Sequence, residues 1–220
     1  MNRPYQLIVL DWDGTVMDSL GVIVACGQEG ARDLDLPVPD EKQIRDLVGL
    51  RLDIMAESLF PDHPDSRQDW IARYSHHWIY TFHDQLSLLD GARESIETLK
   101  EKDYYLAVAT GKSRRGLNRD FDNTGLGKLF LSSRTVNESP SKPNPGMLLE
   151  IIDELGVRPE QTLMVGDTTH DLQMAANASV DSVGVLSGSH SEETLRTCDP
   201  VAILDDLSRL PQWLDELPKS

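Results

Sequence analysis

Residues 7–17 read Leu7-Ile8-Val9-Leu10-Asp11-Trp12-Asp13-Gly14-Thr15-Val16-Met17, and the apolar run halted by Asp11 decides the fold. A short continuous apolar run bounded by turn residues is the mark of a strand buried on both faces. The run extends over 5–10, and similar ones recur at 105–110, 162–166 and 182–186, with a weaker one near 130–132. Helical patterns fall between them. Residues 92–100 put Ile96 and Leu99 on one face; residues 145–155 have Asn144 as a cap, Pro145 at the first helical position and Gly156 at the end. Strands alternating with helices predict an α/β fold, a doubly wound parallel sheet covered on both faces. Its site should lie in the loops at the carboxyl ends of the strands.

One interval breaks the rhythm. Between Asp13 and Tyr105 no convincing strand is legible, although a crossover needs only about a dozen residues. The excess is too long for a structureless loop. Helical patterns at 20–34, 41–48, 52–60 and 67–82, broken at Pro37, Gly49 and Pro61–Pro64, fill it instead. The expected organisation is an α/β core made of residues 1–18 and 86–220, with an all-helical cap domain of residues 19–85 inserted after the first strand.

Composition narrows the function. Of 220 residues, 37 are acidic and 21 are Lys or Arg, a net charge of −16. A polyanion would be repelled, so no nucleic acid and no membrane surface is expected as a partner. Cys26 and Cys198 form neither a metal spacing nor a disulfide framework. The first apolar run stops too soon for a signal peptide or a membrane span. A cytoplasmic protein is the expectation, with oligomeric state left open.

The chemistry sits at strand ends. Alternation points Asp11 and Asp13 to one side of the first strand and turns Trp12 to the other, as core filling. Two carboxylates so close repel unless one is protonated or both share a cation. That suits a nucleophile paired with a general acid. The strand at 162–166 is followed by Asp167 and, four residues on, by Asp171. Four carboxylates converging on one sheet edge call for a hard divalent cation with oxygen ligands, magnesium by preference. The strand at 105–110 ends in Thr110-Gly111, a hydroxyl plus a backbone amide that can approach an anion closely. Pro143 forces Lys142 out of helical geometry, and a rigidly held lysine near carboxylates and a phosphate would neutralise charge and fix geometry.

In this order, Asp11-x-Asp13-Gly14-Thr15, then Thr110, then Lys142-Pro143, then Gly166-Asp167-Thr168-x-x-Asp171 resembles the four motifs of the haloacid dehalogenase (HAD) superfamily. The helical insertion resembles the small cap of its phosphoglycolate phosphatase-like branch, and the likeness spans about residues 7–186. The resemblance implies a Rossmann-like five-stranded parallel core with the first strand central and the Asp167 strand beside it. It implies Asp11 as the nucleophile that becomes an aspartyl phosphate, and Asp13 as the acid that protonates the leaving oxygen and then activates water. Thr110 and the Gly111 amide would hold phosphoryl oxygens, and Lys142 would steady Asp11 and the transferring group. Mg2+ would be held by the side chains of Asp11 and Asp167 and the backbone carbonyl of Asp13, with Thr15 and Asp171 orienting the set from behind. The chain departs from the pattern at Val16, where relatives often have leucine, and at Ser179, where they usually have glycine; the second puts a helix-end geometry in question.

The expected activity is that of a magnesium-dependent phosphatase acting on a small phosphorylated metabolite. The acid at Asp13 disfavours carbon–halogen and carbon–phosphorus cleavage, since those branches lack it. A sugar phosphomutase stays open as an alternative; that branch carries a histidine in the first cap helix, where this chain has Ile23. A non-catalytic interaction module on the same fold is the other alternative. Within Val48-Gly49-Leu50-Arg51, between two cap helices, Arg51 could read a carboxylate or second phosphate bidentately. Lys112, Arg114, Arg115 and nearby Arg119 are the densest positive cluster, a local funnel for an anionic substrate. His76 and His77, in an aromatic helix, read as packing or surface residues rather than ligands, and His170 has no assigned role.

Overall fold

A computed structural model describes residues 4–218. Strand β1 (Leu7–Leu10) is wholly buried. A two-residue strand β2 (Met17–Asp18) follows it, then helices α1 (Leu20–Arg32), α2 (Glu41–Arg45), α3 (Leu52–Leu59) and α4 (Arg67–His76). The chain returns through β3 (Ser87–Leu88) and then alternates: α5 (Ala92–Glu101), β4 (Tyr105–Thr110), α6 (Arg114–Thr124), β5 (Ser132–Thr135), α7 (Gly146–Leu155), β6 (Thr162–Gly166), α8 (Thr169–Asn177) and β7 (Asp181–Val185). Helix α9 (Glu192–Arg196), β8 (Ala202–Leu204) and α10 (Leu210–Glu216) complete it.

The main sheet is parallel throughout, in the order β5-β4-β1-β6-β7-β8. It has six strands where the resemblance implied five; the sixth, β8, comes from the tail and pairs with β7. Period-two alternation splits the core. Ile8, Leu10, Leu106 and Val108 meet Ile96 and Leu99 of α5, Leu117 of α6 and Leu210 of α10. Leu7, Val9, Ala107 and Met164 face the other way, onto Met147 and Ile151 of α7 and Met174 of α8. Each large side chain so buried stabilises the fold by about 1.5–3 kcal/mol.

Strand β5 lies two residues beyond the apolar run that pointed to it. It is an edge strand held by polar side chains: Ser132 donates to Glu154 at 2.7 Å, and Arg134 pairs with Glu150 and Glu154 at 2.8 and 2.9 Å. At the end of α8, Ser179 adopts the left-handed conformation with φ of 56°. The left-handed turn for which the resemblance implied glycine is therefore kept, at a cost of roughly 1–2 kcal/mol for a residue with a Cβ.

The helices between β2 and β3 bury a third apolar cluster of their own, including Leu20, Ile44, Phe60, Trp70 and Tyr74. The helical pattern over 67–82 is not one regular helix. After His76 the chain widens into a π-helical turn over His77–Thr81, which stacks Trp78 on Tyr74 with ring centroids 6.2 Å apart. Strands β2 and β3 pair antiparallel, Met17 opposite Leu88, so the chain leaves the sheet and returns to it side by side. Among the described residues no helix is long and apolar enough to cross a membrane.

Candidate active site

Because β1 and β6 pair in register, with Leu10 opposite Val165, the residues that follow them emerge at one sheet edge. The Asp11 amide donates to the Val165 carbonyl at 2.9 Å, carrying the ladder one residue past the strand. Asp167 follows β6. Asp171 is the third residue of α8, where a capping box with Thr168 fixes it. Carboxylate oxygens of Asp11, Asp167 and Asp171 lie within 4.8 Å of one another, and all three residues are buried.

One cation enters this cluster. Lys142, joined to Pro143 by a cis peptide bond, donates from Nζ to Asp11 Oδ1 at 2.6 Å and to Asp171 Oδ1 at 2.5 Å. Negative charge remains in excess. Burial and the Asp171 charge push the Asp11 carboxyl well above the usual range, and the same two causes push Asp167 up to about 7. Burial pulls the Lys142 ammonium down, but Asp11 and Asp171 outweigh it and hold the group above its ordinary value.

The oxygens of the cluster are not equally engaged. Asp171 Oδ2 accepts from the Thr168 hydroxyl at 2.6 Å, so both its oxygens are taken. Asp167 accepts from the Thr15 hydroxyl at 3.1 Å and from the Ser189 amide at 2.8 Å. The loop behind it comes so close that any side chain at Gly188 would overlap the Asp167 carboxylate. Asp11 Oδ2 is buried and has no hydrogen-bond partner. A buried polar atom left so costs about 1–3 kcal/mol, more for a charged group. Hard carboxylate oxygens, surplus negative charge and one unanswered oxygen fit a hard divalent cation.

Asp13 does not join the cluster, which corrects the expectation of four converging carboxylates. Its side chain accepts from the Ser19 hydroxyl at 2.6 Å and from Lys112 Nζ at 2.8 and 3.1 Å. Lys112 also lies 3.2 Å from Asp120 and 4.3 Å above the Trp78 ring. Asp120 in turn accepts from Trp12 Nε1 at 3.0 Å, so Trp12 is core filling with its polar edge satisfied. Lys112 is therefore an internal counter-ion and not part of a funnel. Arg114 is also engaged, pairing with Glu138 at 2.6 Å. Sequence reasoning missed Ser19, Asp120 and Ser189 as supports; none stands in a motif that would have marked it.

A cavity of about 460 Å³ opens between the inserted helices and the sheet edge. Asp11, Asp13, Thr110 and Gly111 line it from the core, and Ile23, Tyr74 and Trp78 from the helices above. Thr110 is buried at the end of β4, its hydroxyl accepting from the Lys112 amide at 3.1 Å. Any side chain at Gly111 would strike the Gly49 carbonyl, so the loop between α2 and α3 rests directly on this turn. Arg51 is in the wall, but its guanidinium makes a two-point pair with Asp53 at 3.0 and 2.7 Å. His170 donates to the Asp46 carbonyl at 3.2 Å and His77 meets Asp33 at 3.0 Å, both ties between elements.

The carboxyl cluster has a consequence for stability. Unfolded carboxyls titrate near 4, so the protons held by the folded cluster stabilise fully below about pH 4. That contribution is lost as pH climbs through about 7. A divalent cation binds only deprotonated ligands and is expected to raise the melting temperature more at about pH 8 than at about pH 5. Thermal unfolding with and without the cation checks this, and equal shifts at both pH values would contradict it.

Known proteins share this plan. A family model described as haloacid dehalogenase-like hydrolase matches residues 8–185. The probable phosphatase IndB of Dickeya dadantii is 32% identical over 93% of this chain and 91% of its own length. A phosphoglycolate phosphatase of Vibrio parahaemolyticus is 26% identical over 93% of this chain and 94% of its own. A solved structure of a putative haloacid dehalogenase-like hydrolase from Bacteroides fragilis superposes with a TM-score of 0.87 at 24% identity, covering 94% of this chain and 99% of that one.

Proposed function

The chain belongs to the haloacid dehalogenase-like hydrolase family, and from that premise we propose that its phosphatase chemistry runs through Asp11, with magnesium as the cation and a small phosphomonoester as substrate. The observation that carries this reading is Asp11 Oδ2, buried, unpartnered and on a residue that lines the cavity.

In the first step the Asp11 carboxylate attacks phosphorus. The Asp11–phosphorus bond forms as the ester phosphorus–oxygen bond breaks, and Asp13 gives the departing oxygen its proton. In the second, Asp13 takes a proton from water, whose oxygen attacks phosphorus and releases Asp11 and inorganic phosphate. Thr110 and the Gly111 amide hold phosphoryl oxygens, and Lys142 fixes Asp11 and offsets charge in the transferring group. Magnesium would be held by the side chains of Asp11 and Asp167 and the backbone carbonyl of Asp13, and would ease the repulsion between an anionic nucleophile and phosphate. Thr15 holds Asp167 in place and Asp171 holds Lys142.

Residues 19–85 act as a cap hinged at β2 and β3, whose closure keeps water out until the leaving group departs. The phosphoglycolate phosphatases among the relatives support a small, phosphoglycolate-like substrate. Unpaired Cys26 and Cys198 support a cytoplasmic location.

A panel of phosphorylated metabolites tests the reading. Hydrolysis should stop in chelator, return with magnesium and fall with excess calcium, whose looser coordination misplaces the reacting groups. Full activity in chelator would overturn the metal assignment, and no hydrolysis of any ester would overturn the reading itself.

A further inference from the structure

Four basic side chains follow Gly111, and the structure divides them. Lys112 is matched by Asp13 and Asp120, and Arg114 by Glu138. Arg115 and Arg119 line the cavity instead. Among the described residues neither side chain pairs with a carboxylate or donates a hydrogen bond; Arg115 is exposed, and Arg119 is partly buried, with its Nε buried and without an acceptor. They stand four residues apart on α6, hence on one face, about 6 Å apart along the axis.

Nothing local rewards that arrangement. Like charges four apart weaken a helix, and cations in its first turn oppose its dipole. A buried guanidinium nitrogen without an acceptor adds a desolvation cost. The chain has 37 acidic residues, yet among the described residues none forms an ion pair with either arginine. The acids of the cavity wall are answered by other cations: Asp53 by Arg51, Asp13 by Lys112 and Asp11 by Lys142. Ile71, Tyr74 and Trp78 of the inserted helices line the same cavity and offer no competing acid.

We infer that Arg115 and Arg119 form a subsite for a second anionic group on the substrate, a carboxylate or phosphate set several atoms from the phosphoryl group that Asp11 attacks. This rests on the phosphatase reading and narrows its substrate class to phosphomonoesters with a distal anion. Arg51, already paired, is the lesser reader of that group.

Matched substrates test it: 3-phosphoglycerate against glycerol 3-phosphate, 6-phosphogluconate against glucose 6-phosphate, and glucose 1,6-bisphosphate against glucose 6-phosphate. The first two pairs carry a distal carboxylate and the third a distal phosphate. Both kcat/KM and calorimetric affinity are measured with magnesium present. In the wild type the anionic member of at least one pair is expected to lead by about tenfold or more, the range of hydrogen bonds to a charged group. Arg119→Met, which keeps the packing of the stem, should bring that ratio toward one, and Arg119→Lys should retain part of it. A purely structural role would lower both members of a pair together and leave the ratio intact. A wild-type ratio near one in every pair, or a ratio that survives both Arg115→Met and Arg119→Met, overturns the subsite. Preferential binding without hydrolysis would sink the phosphatase reading and leave the subsite standing; hydrolysis without preference would do the reverse.

Discussion

Asp11→Asn is expected to lower kcat by about four orders of magnitude or more, the scale seen when a nucleophile is removed from a covalent mechanism. The protein should stay folded. The amide is nearly isosteric, and its oxygen can still accept from Lys142, which lies 2.6 Å from Asp11 Oδ1. It also relieves the repulsion that Asp171 and Asp167 impose on the native carboxylate. Two measurements bear on the assignment. Steady-state turnover on the best ester of the panel should vanish while thermal unfolding stays cooperative. Acid quenching during turnover should leave phosphate bound to the wild type and none on the variant. Activity within tenfold of wild type would remove Asp11 from the mechanism.

Lys142→Met should have the largest effect on the fold itself. Its ammonium is wholly buried and, among the described residues, is the one cation in contact with Asp11 and Asp171. Breaking a buried charge pair by deleting one partner typically costs about 3–5 kcal/mol, because the other charge is left uncompensated. Here the remaining carboxylates would stand together with nothing between them. In urea unfolding at neutral pH without divalent ions, a loss in that range is expected. It should shrink toward pH 5, where the cluster takes up protons, and on adding magnesium. A loss below about 1 kcal/mol under metal-free neutral conditions would mean that the lysine does not hold the cluster together.

The parts of this structure legible in the sequence are those whose neighbours are uniform. Strands β1, β4 and β6 are covered on both faces, so burial alone writes them as apolar runs. The edge strand β5 carries Ser132, Ser133 and Arg134 because one side meets polar helix residues, and the apolar run beside it misled by two positions. Strands β2 and β3 are too short for any periodicity. The site divides in the same way. Asp11 and Asp167 directly follow strands, where the direction of a side chain is fixed by alternation, and the structure brings them together with Asp171 and Lys142. Long side chains on loops and at helix starts carry no such constraint. Lys112 finds Asp13 across 99 residues of chain and Arg114 finds Glu138 across 24, so four neighbouring cations looked alike until their partners were placed.

The two-stranded ribbon of β2 and β3 has a consequence for how this architecture diversifies. Met17 faces Leu88, so the ends of the inserted segment are held one strand spacing apart, about 4.8 Å. To the sheet, everything between them is a hairpin turn of arbitrary length. Doubling such a loop adds only about 0.6 kcal/mol of closure entropy, and the helices within it bury their own apolar faces. The ribbon is thus a socket. A lineage can lengthen, shrink or exchange what is plugged into it, and change which molecules reach the carboxylates, while the catalytic sheet evolves at its own pace.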